Sequence, residues 1–341
     1  MATRMIGNIS AAKGEKAKGF IDVAKNADGT ALTIPIIIIN GKEEGPTLLV
    51  DGCCHGDEQE GTMMILNAVK KIDPRELRGT AIFVPALNTV GFHLRMRGNP
   101  FDFMYVDMNR IFPGQEDSFS ITERAAFVYT NEIVSKADYV ISFHGGGNDF
   151  YILPRVIVQE EIGPNRISIK ESIQMGKAMA TTDEWVIAGK SEHTLRMERT
   201  LLFDCALENK PAIIPEIGGG LRDPKTLEHV VKLGTEGILN VMRSIKMLRE
   251  QPHYPNGWRK ISEYKMLRTK HGGLLKYDQS HRPGDVVKQG TVLARIENLL
   301  GDEMEKIVMP FDGMILDHVC STSRRPSELV AIVGPPPITI S

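Results

Sequence analysis

Short apolar runs alternate with stretches of helical periodicity along most of the chain, and turn residues punctuate the two. Residues 35–39 read as an early strand, and residues 41–46 as a turn into the buried strand Leu48-Leu49-Val50, which Gly52 through Gly56 ends. Residues 60–71 carry the helical period with Ile65, Leu66 and Val69 on one side, and stop before Asp73-Pro74. Residues 80–87, 137–143 and 212–214 are strand-like. Residues 122–135 predict a helix capped by Thr122, and residues 165–181 and 226–250 predict amphipathic helices. Strands alternating with helices predict an α/β fold, a mixed and mostly parallel sheet flanked by helices on both faces.

The texture changes after Gln251-Pro252-His253-Tyr254-Pro255-Asn256-Gly257, a linker by composition. Beyond it, residues 272–275, 286–287, 292–296 and 307–315 are short strand-like runs separated by glycine turns. Two domains are expected, 1–252 and a C-terminal all-β domain at 258–336. The second resembles the barrel-sandwich hybrid of biotinyl and lipoyl carriers. Such a carrier needs a lysine at a hairpin tip, but Leu300 stands in that register here and Lys306 lies on the far arm. The resemblance therefore implies a lid or an oligomerisation module, the latter making a homo-oligomer, and not a swinging arm.

A chain of 341 residues accommodates one large and one smaller core. Its 41 basic and 43 acidic residues supply no electrostatic drive toward nucleic acid or an anionic membrane. No apolar run approaches the roughly 18 residues of a membrane helix. Lys13, Lys16 and Lys18 are followed by no apolar core, so the N-terminus does not read as a secretory signal. Four cysteines, two of them adjacent, point to a reducing cytoplasm.

Chemistry concentrates where strands end. His55 and Glu58 follow the Leu48 strand within a glycine-bounded turn, and His144 follows residues 137–143 at the head of Gly145-Gly146-Gly147. In open α/β sheets, ligands sit in the crevice outside such strand ends. Two imidazoles and one carboxylate form the protein shell of a catalytic zinc site, which keeps a fourth position open. Glu216, delivered by residues 212–215 into Gly218-Gly219-Gly220, suits the general base that takes a proton from the attacking water. Cys53 and Cys54 precede the metal histidine. One is expected to pack as a small hydrophobe and the other to do little, with neither ligating metal. The two glycine triplets lack the Gly-Lys-Ser/Thr ending and the spacing of nucleotide loops, which excludes nucleotide binding.

His55-x-x-Glu58, Asp107-Met108-Asn109-Arg110-Ile111-Phe112-Pro113-Gly114, His144 and Pro215-Glu216 occur in an order and spacing that resembles the succinylglutamate desuccinylase/aspartoacylase family, a branch of the zinc carboxypeptidase clan. The likeness is strongest to bacterial members that deacetylate N-acetylated diamino acids. It implies one Zn2+ per chain on His55, Glu58 and His144, with Glu216 as catalytic base. It further implies a small N-acyl amino acid substrate whose carboxylate is gripped by a buried Arg110 fork, oriented by Asn109. Arg97 is assigned the oxyanion, with Arg95 as its competitor in a longer loop. Arg196 in Thr194-Leu195-Arg196 is assigned a second substrate contact. The expected reaction is removal of an acetyl or succinyl group. The rivals are a carboxypeptidase acting on short peptides and a catalytically inactive metal-binding scaffold.

Overall fold

The computed structural model describes residues 3–26, 28–159, 166–188, 198–220, 224–261 and 263–340. Its centre is a sheet with the order Ile338–Ile340, Trp258–Ile261, Val186–Ala188, Arg155–Val158, Ala212–Glu216, Tyr139–Ser142, Glu43–Asp51, Arg78–Val84, Ala31–Asn40 and Glu15–Lys25. Tyr139–Ser142 runs parallel to both of its neighbours, Glu43–Asp51 and Ala212–Glu216. The sheet is mixed, because Arg155–Val158 runs antiparallel to Ala212–Glu216 and the edge hairpin Glu15–Lys25/Ala31–Asn40 is antiparallel too.

The central strands are apolar at successive positions because both sheet faces are covered. Leu48, Val50, Ile141 and Ile213 point into one core, shared with helices Glu60–Lys71, Arg166–Met179 and Pro224–Ser244. Leu49, Val140 and Ile214 point into the other, shared with helices Ile121–Val128 and Leu201–Leu207.

Several local expectations shift. Helix Glu60–Lys71 forms as the pattern indicates and buries Gly61, Met64, Ile65, Ala68 and Val69. Leu66, expected beside Ile65, is 39% exposed, because adjacent helical residues point about 100° apart. The strand expected at 80–87 is Arg78–Val84, and the turn expected at 41–46 already pairs from Glu43. The helix expected over 226–250 ends at Ser244, with Lys246 at a positive φ.

Residues 122–135 are not one helix. Ile121–Val128 is α, Tyr129–Ile133 widens into a π turn, and Val134–Lys136 tightens into 3-10. The cap is Ser120, not Thr122. Ser120 Oγ accepts from Glu123 N–H at 3.1 Å and donates to Asp102 Oδ2 at 2.7 Å. Thr122 Oγ1 is buried and finds no partner among the described residues.

Beyond the linker, two small antiparallel sheets stack. One contains Lys265–Arg268, Leu329–Gly334, Gly313–Val319 and Val286–Val287, and the other Glu303–Val308, Val292–Glu297, Gly273–Tyr277 and Ser323–Arg324. Leu293, Ile296, Ile315, Val330 and Val333 fill the space between them. The two halves of the molecule exchange strands. Trp258–Ile261 and Ile338–Ile340 extend the central sheet, while Phe150–Ile152 pairs with Gly313–Val319 in the C-terminal region. Arg324 meets Asp149 at 2.6 Å across the same junction.

The capping geometry separates the two candidate residues in a denaturation experiment. Ser120→Ala should lower unfolding free energy by about 1–2 kcal/mol, since it frees a helix N–H and strips one bond from buried Asp102. Thr122→Ala should change it by less than about 0.5 kcal/mol relative to that loss, having no hydrogen bond to remove. Urea midpoints in the reverse order would restore Thr122 as the cap.

Candidate active site

The site is assembled where the three parallel strands end. Asp51, the last residue of Glu43–Asp51, is fully buried and accepts hydrogen bonds from Tyr129 Oη at 2.7 Å and Ser142 Oγ at 2.8 Å. Burial pushes its carboxyl up to about 6, against the pull of those two hydroxyls and of His144. The register Asp51↔Ser142 aligns the first two strand ends. His144 N–H donates to the Pro215 carbonyl and Ile217 N–H to the His144 carbonyl, each at 3.0 Å, which fixes His144 beside Glu216. The glycine triplets make this possible. A Cβ on Gly219, whose φ is +93°, would lie 2.3 Å from Gly146 Cα, so the two turns touch backbone to backbone.

His55, Glu58 and His144 converge. One ligand atom from each lies within 4.8 Å of the others, and all three side chains are buried. His55 Nδ1 is 2.7 Å from Glu58 Oε1, His144 Nδ1 is 2.9 Å from Oε2, and the two Nδ1 atoms are 3.1 Å apart. Burial alone would push the His55 imidazole down, but Glu58 and Asp107 outweigh it and leave His55 at about 9. Burial would likewise raise Glu58, yet the two histidines hold it well below the usual carboxylate range. Two ring nitrogens and a carboxylate aimed at one dry point suit a divalent cation with nitrogen and oxygen ligands.

The remaining residues take definite places. His55 Nε2 lies 2.9 Å from Asp107 Oδ1, the carboxylate–histidine arrangement that orients a metal ligand. Asp107 also accepts from Arg97 Nη2 at 3.0 Å, and Arg97 Nη1 reaches Glu58 Oε1 at 3.3 Å. Arg97 lines the cleft. Arg95 instead ends the helix Thr89–Leu94 in a left-handed conformation, and its carbonyl accepts from Asn148 Nδ2. Asn109 is buried, its Oδ1 accepting from Leu201 N–H at 3.0 Å and its Nδ2 lying 3.3 Å from His144 Nε2. Arg110 lines the cleft but is exposed, not the buried fork expected, because its neighbours Met108 and Asn109 take the inward positions of that turn. Glu216 faces the cleft with no hydrogen bond to its carboxylate among the described residues. Burial raises its proton affinity, and Arg155 and His144 offset this only in part. Thr194, Leu195 and Arg196 lie outside the described residues.

Both cysteines of the metal turn are buried, where one was expected to be idle. Cys53 Sγ donates to the Glu58 carbonyl at 3.2 Å, and burial pushes its thiol up to about 12. Three charged residues escaped the sequence reading. Asp107 was discoverable, since a metal-bound histidine ordinarily donates its second nitrogen to a carboxylate. Arg155 and Asp317, which also line the cleft, carry no local signal.

Two histidines and a carboxylate that could hold a metal, beside a further buried carboxyl on a mixed α/β sheet, are the arrangement found in metal-dependent hydrolase sites. Residues 44–242 match the model of the succinylglutamate desuccinylase/aspartoacylase catalytic domain, and the chain belongs to that family. It is 27% identical over 290 residues to the N-alpha-acetyl-L-2,4-diaminobutyric acid deacetylase of Halomonas elongata, covering 82% of this chain and 80% of that one. Its fold is shared with the product-bound ectoine utilization protein EutE of Ruegeria pomeroyi, at a TM-score of 0.80 and 20% identity over 94% of both chains. A succinylglutamate desuccinylase/aspartoacylase from Rhodobacter sphaeroides superposes with a TM-score of 0.79 at 20% identity, over 94% of this chain and 95% of that one.

If Asp107 orients His55, Asp107→Asn should weaken zinc binding by about 10–100-fold in chelator competition, with the far-ultraviolet spectrum preserved. His144→Ala should reduce metal content from about one ion per chain to near none, because two ligands do not make a zinc site. Full zinc content in His144→Ala would place the metal elsewhere.

Proposed function

We propose that the chain is a zinc-dependent deacylase that removes an acetyl or succinyl group from a small N-acyl amino acid by hydrolysing its linear amide bond. The observation that carries this reading is the convergence of His55, Glu58 and His144 across one cleft from Glu216, whose carboxyl has no hydrogen bond among the described residues. Zinc, when bound there, would supply Lewis acidity to the acyl carbonyl and to the attacking water. Glu216 takes the water proton and returns it to the leaving amine, a role favoured by its raised proton affinity. Arg97, fixed between Glu58 and Asp107, brings a permanent positive charge to the side of the cleft where the oxyanion develops. Asn109, packed behind His144, helps orient the substrate, and Arg110 at the rim meets the substrate carboxylate. Arg196 is retained as a second substrate contact on the strength of the family resemblance.

The C-terminal region supports the small-substrate reading over the carboxypeptidase one. Asp317, Leu329 and Ile332 close one side of a cleft of about 220 Å³, which suits one acylated amino acid better than a peptide chain. Retention of Glu216 beside the ligands argues against an inert scaffold, since binding metal needs no base. We read residues 258–336 as a lid on the catalytic residues of 1–252, with an oligomeric role for its outer face. Among the described residues no helix is long and apolar enough to cross a membrane, and the four free cysteines fit the cytoplasm.

Glu216→Gln preserves shape but accepts no proton. It should lower kcat on N-acetyl and N-succinyl amino acids by at least about a hundredfold while metal content holds. Near wild-type turnover would move the base elsewhere. Arg110→Ala should raise KM for N-acyl amino acids by about tenfold. The matching amides, which carry no carboxylate, should be affected far less, and an equal loss on both classes would make Arg110 a brace for its own turn.

A further inference from the structure

His144 and Glu216 precede two glycine turns, and a run of glycines is the backbone with the most conformational freedom to lose. Gly147 and Gly220 both sit at positive φ, and Gly220 N–H donates to the Gly147 carbonyl at 2.7 Å. Turns of this kind need outside anchors to keep a ligand within the roughly 0.5 Å that a working site tolerates. The catalytic region supplies two of them. Glu58 Oε2 accepts from Gly145 N–H at 3.1 Å, and Glu60 Oε1 accepts from Gly219 N–H at 2.7 Å.

The opposing anchor comes from the C-terminal region. Asp149 lies two residues beyond the first turn, and its N–H and that of Phe150 both donate to the Gly146 carbonyl, at 3.3 and 2.9 Å. Arg324 grips its carboxylate with Nη2 to Oδ1 at 2.6 Å and Nη1 to Oδ2 at 3.1 Å, and Ser321 Oγ donates to the same Oδ1. Cys320 N–H donates to the Asp149 carbonyl at 2.6 Å, and a Cβ on Gly220 would lie 2.7 Å from Cys320 Sγ. Residues 320–324 therefore hold Asp149 and close against both turns. The Arg324 side chain is only 6% exposed, so its charge is committed to this contact in a way that a surface pair is not.

The two regions do not need this contact to stay together. Phe150–Ile152 pairs with Gly313–Val319, Trp258–Ile261 and Ile338–Ile340 extend the central sheet, and Arg155 meets Asp317. What Arg324 adds is a two-pronged grip on the segment that leads out of the His144 turn. We infer that Arg324 is a positioning residue of the active site, which through Asp149 fixes the turn that sets His144 against Glu58 and Glu216. Metal affinity and turnover then depend on a C-terminal residue that lies outside the cleft lining. Its effect on turnover rests on the deacylase reading, and its effect on zinc rests on the His55, Glu58 and His144 site alone.

The test uses the full-length chain, with zinc affinity read by competition with a chromophoric chelator and kinetics on N-acetyl amino acids at saturating zinc. Arg324→Met should weaken zinc binding by about tenfold or more. It should lower kcat by on the order of tenfold with KM within about twofold of wild type. Arg324→Lys should recover only part of both, since an ammonium cannot make the two-pronged contact. Leu293→Val is the control, at the far end of Val292–Glu297 from the strand Ser323–Arg324. It trims the same C-terminal core and lowers the melting temperature, and should leave zinc affinity and kcat at the wild-type level. If Arg324→Met fails to fold, Ser321→Ala, which takes one bond from Asp149 and leaves the ion pair, should show the same losses at about threefold. Wild-type zinc affinity in the folded variants, or an equal loss of it in Leu293→Val, overturns the inference. A wild type that binds zinc but hydrolyses no N-acyl amino acid overturns the deacylase reading instead, and the zinc measurements then decide the inference alone.

Discussion

The register of three parallel strands holds everything else in this molecule in place. Glu43–Asp51, Tyr139–Ser142 and Ala212–Glu216 lie side by side, so the turn bearing His55 and Glu58, then His144, then Glu216, emerge along one edge. A slip of one residue in any strand would turn its side chains to the opposite face and dismantle the constellation. The slip is opposed from two directions. Apolar residues on both strand faces are committed to separate cores, and the buried Asp51 carboxylate is bonded across the strand ends to Ser142 and to Tyr129.

With the strand ends set, the remaining problem is to keep several charges in a cleft with little water. Most of them are compensated by a neighbour, and Arg97 and Asp107 also reach solvent. Glu58 sits among two imidazoles and Arg97, Asp107 is shared by His55 and Arg97, and Arg155 is matched by Asp317. An isolated buried charge would cost several kcal/mol, so that penalty falls on Glu58 or Asp317 when its partner is removed, whereas half-exposed Arg97 and Asp107 can fall back on solvent. Glu216 is the exception. It has no hydrogen bond to its carboxylate within the described residues, and burial raises its proton affinity. That lack of a fixed hydrogen-bond donor suits the proton transfer proposed for Glu216 better than a carboxylate locked as an anion would.

The C-terminal region is part of this arrangement rather than an appendage. It shares strands with the catalytic sheet in both directions and supplies Asp317, Leu329 and Ile332 to the cleft. The tip of its hairpin carries exposed Leu299 and Leu300 and no lysine, while Lys306 lies on the outgoing strand Glu303–Val308 beside Glu303. That hairpin therefore presents no lysine at its tip for a carrier's covalently attached group.

Local pattern determined the parts of this protein that depend on neighbours in sequence. The apolar runs of the central strands, the helix Glu60–Lys71, the strand-end positions of His55, Glu58, His144 and Glu216 and the mixed α/β class all follow from periodicity, turn residues and a recognisable motif order. Tertiary structure decided what depends on partners far along the chain. Ser120 rather than Thr122 caps its helix because Asp102, far back in the sequence, bonds it there. Arg110 lies at the rim because Leu201, 92 residues on, donates its N–H to Asn109 and draws that neighbour inward instead. Arg155 and Asp317 are separated by more than a hundred residues, and no propensity or spacing announces a pair of that kind. The exchange of strands across the linker is legible only once the sheet order is known, because a short strand carries no mark of the edge it will join.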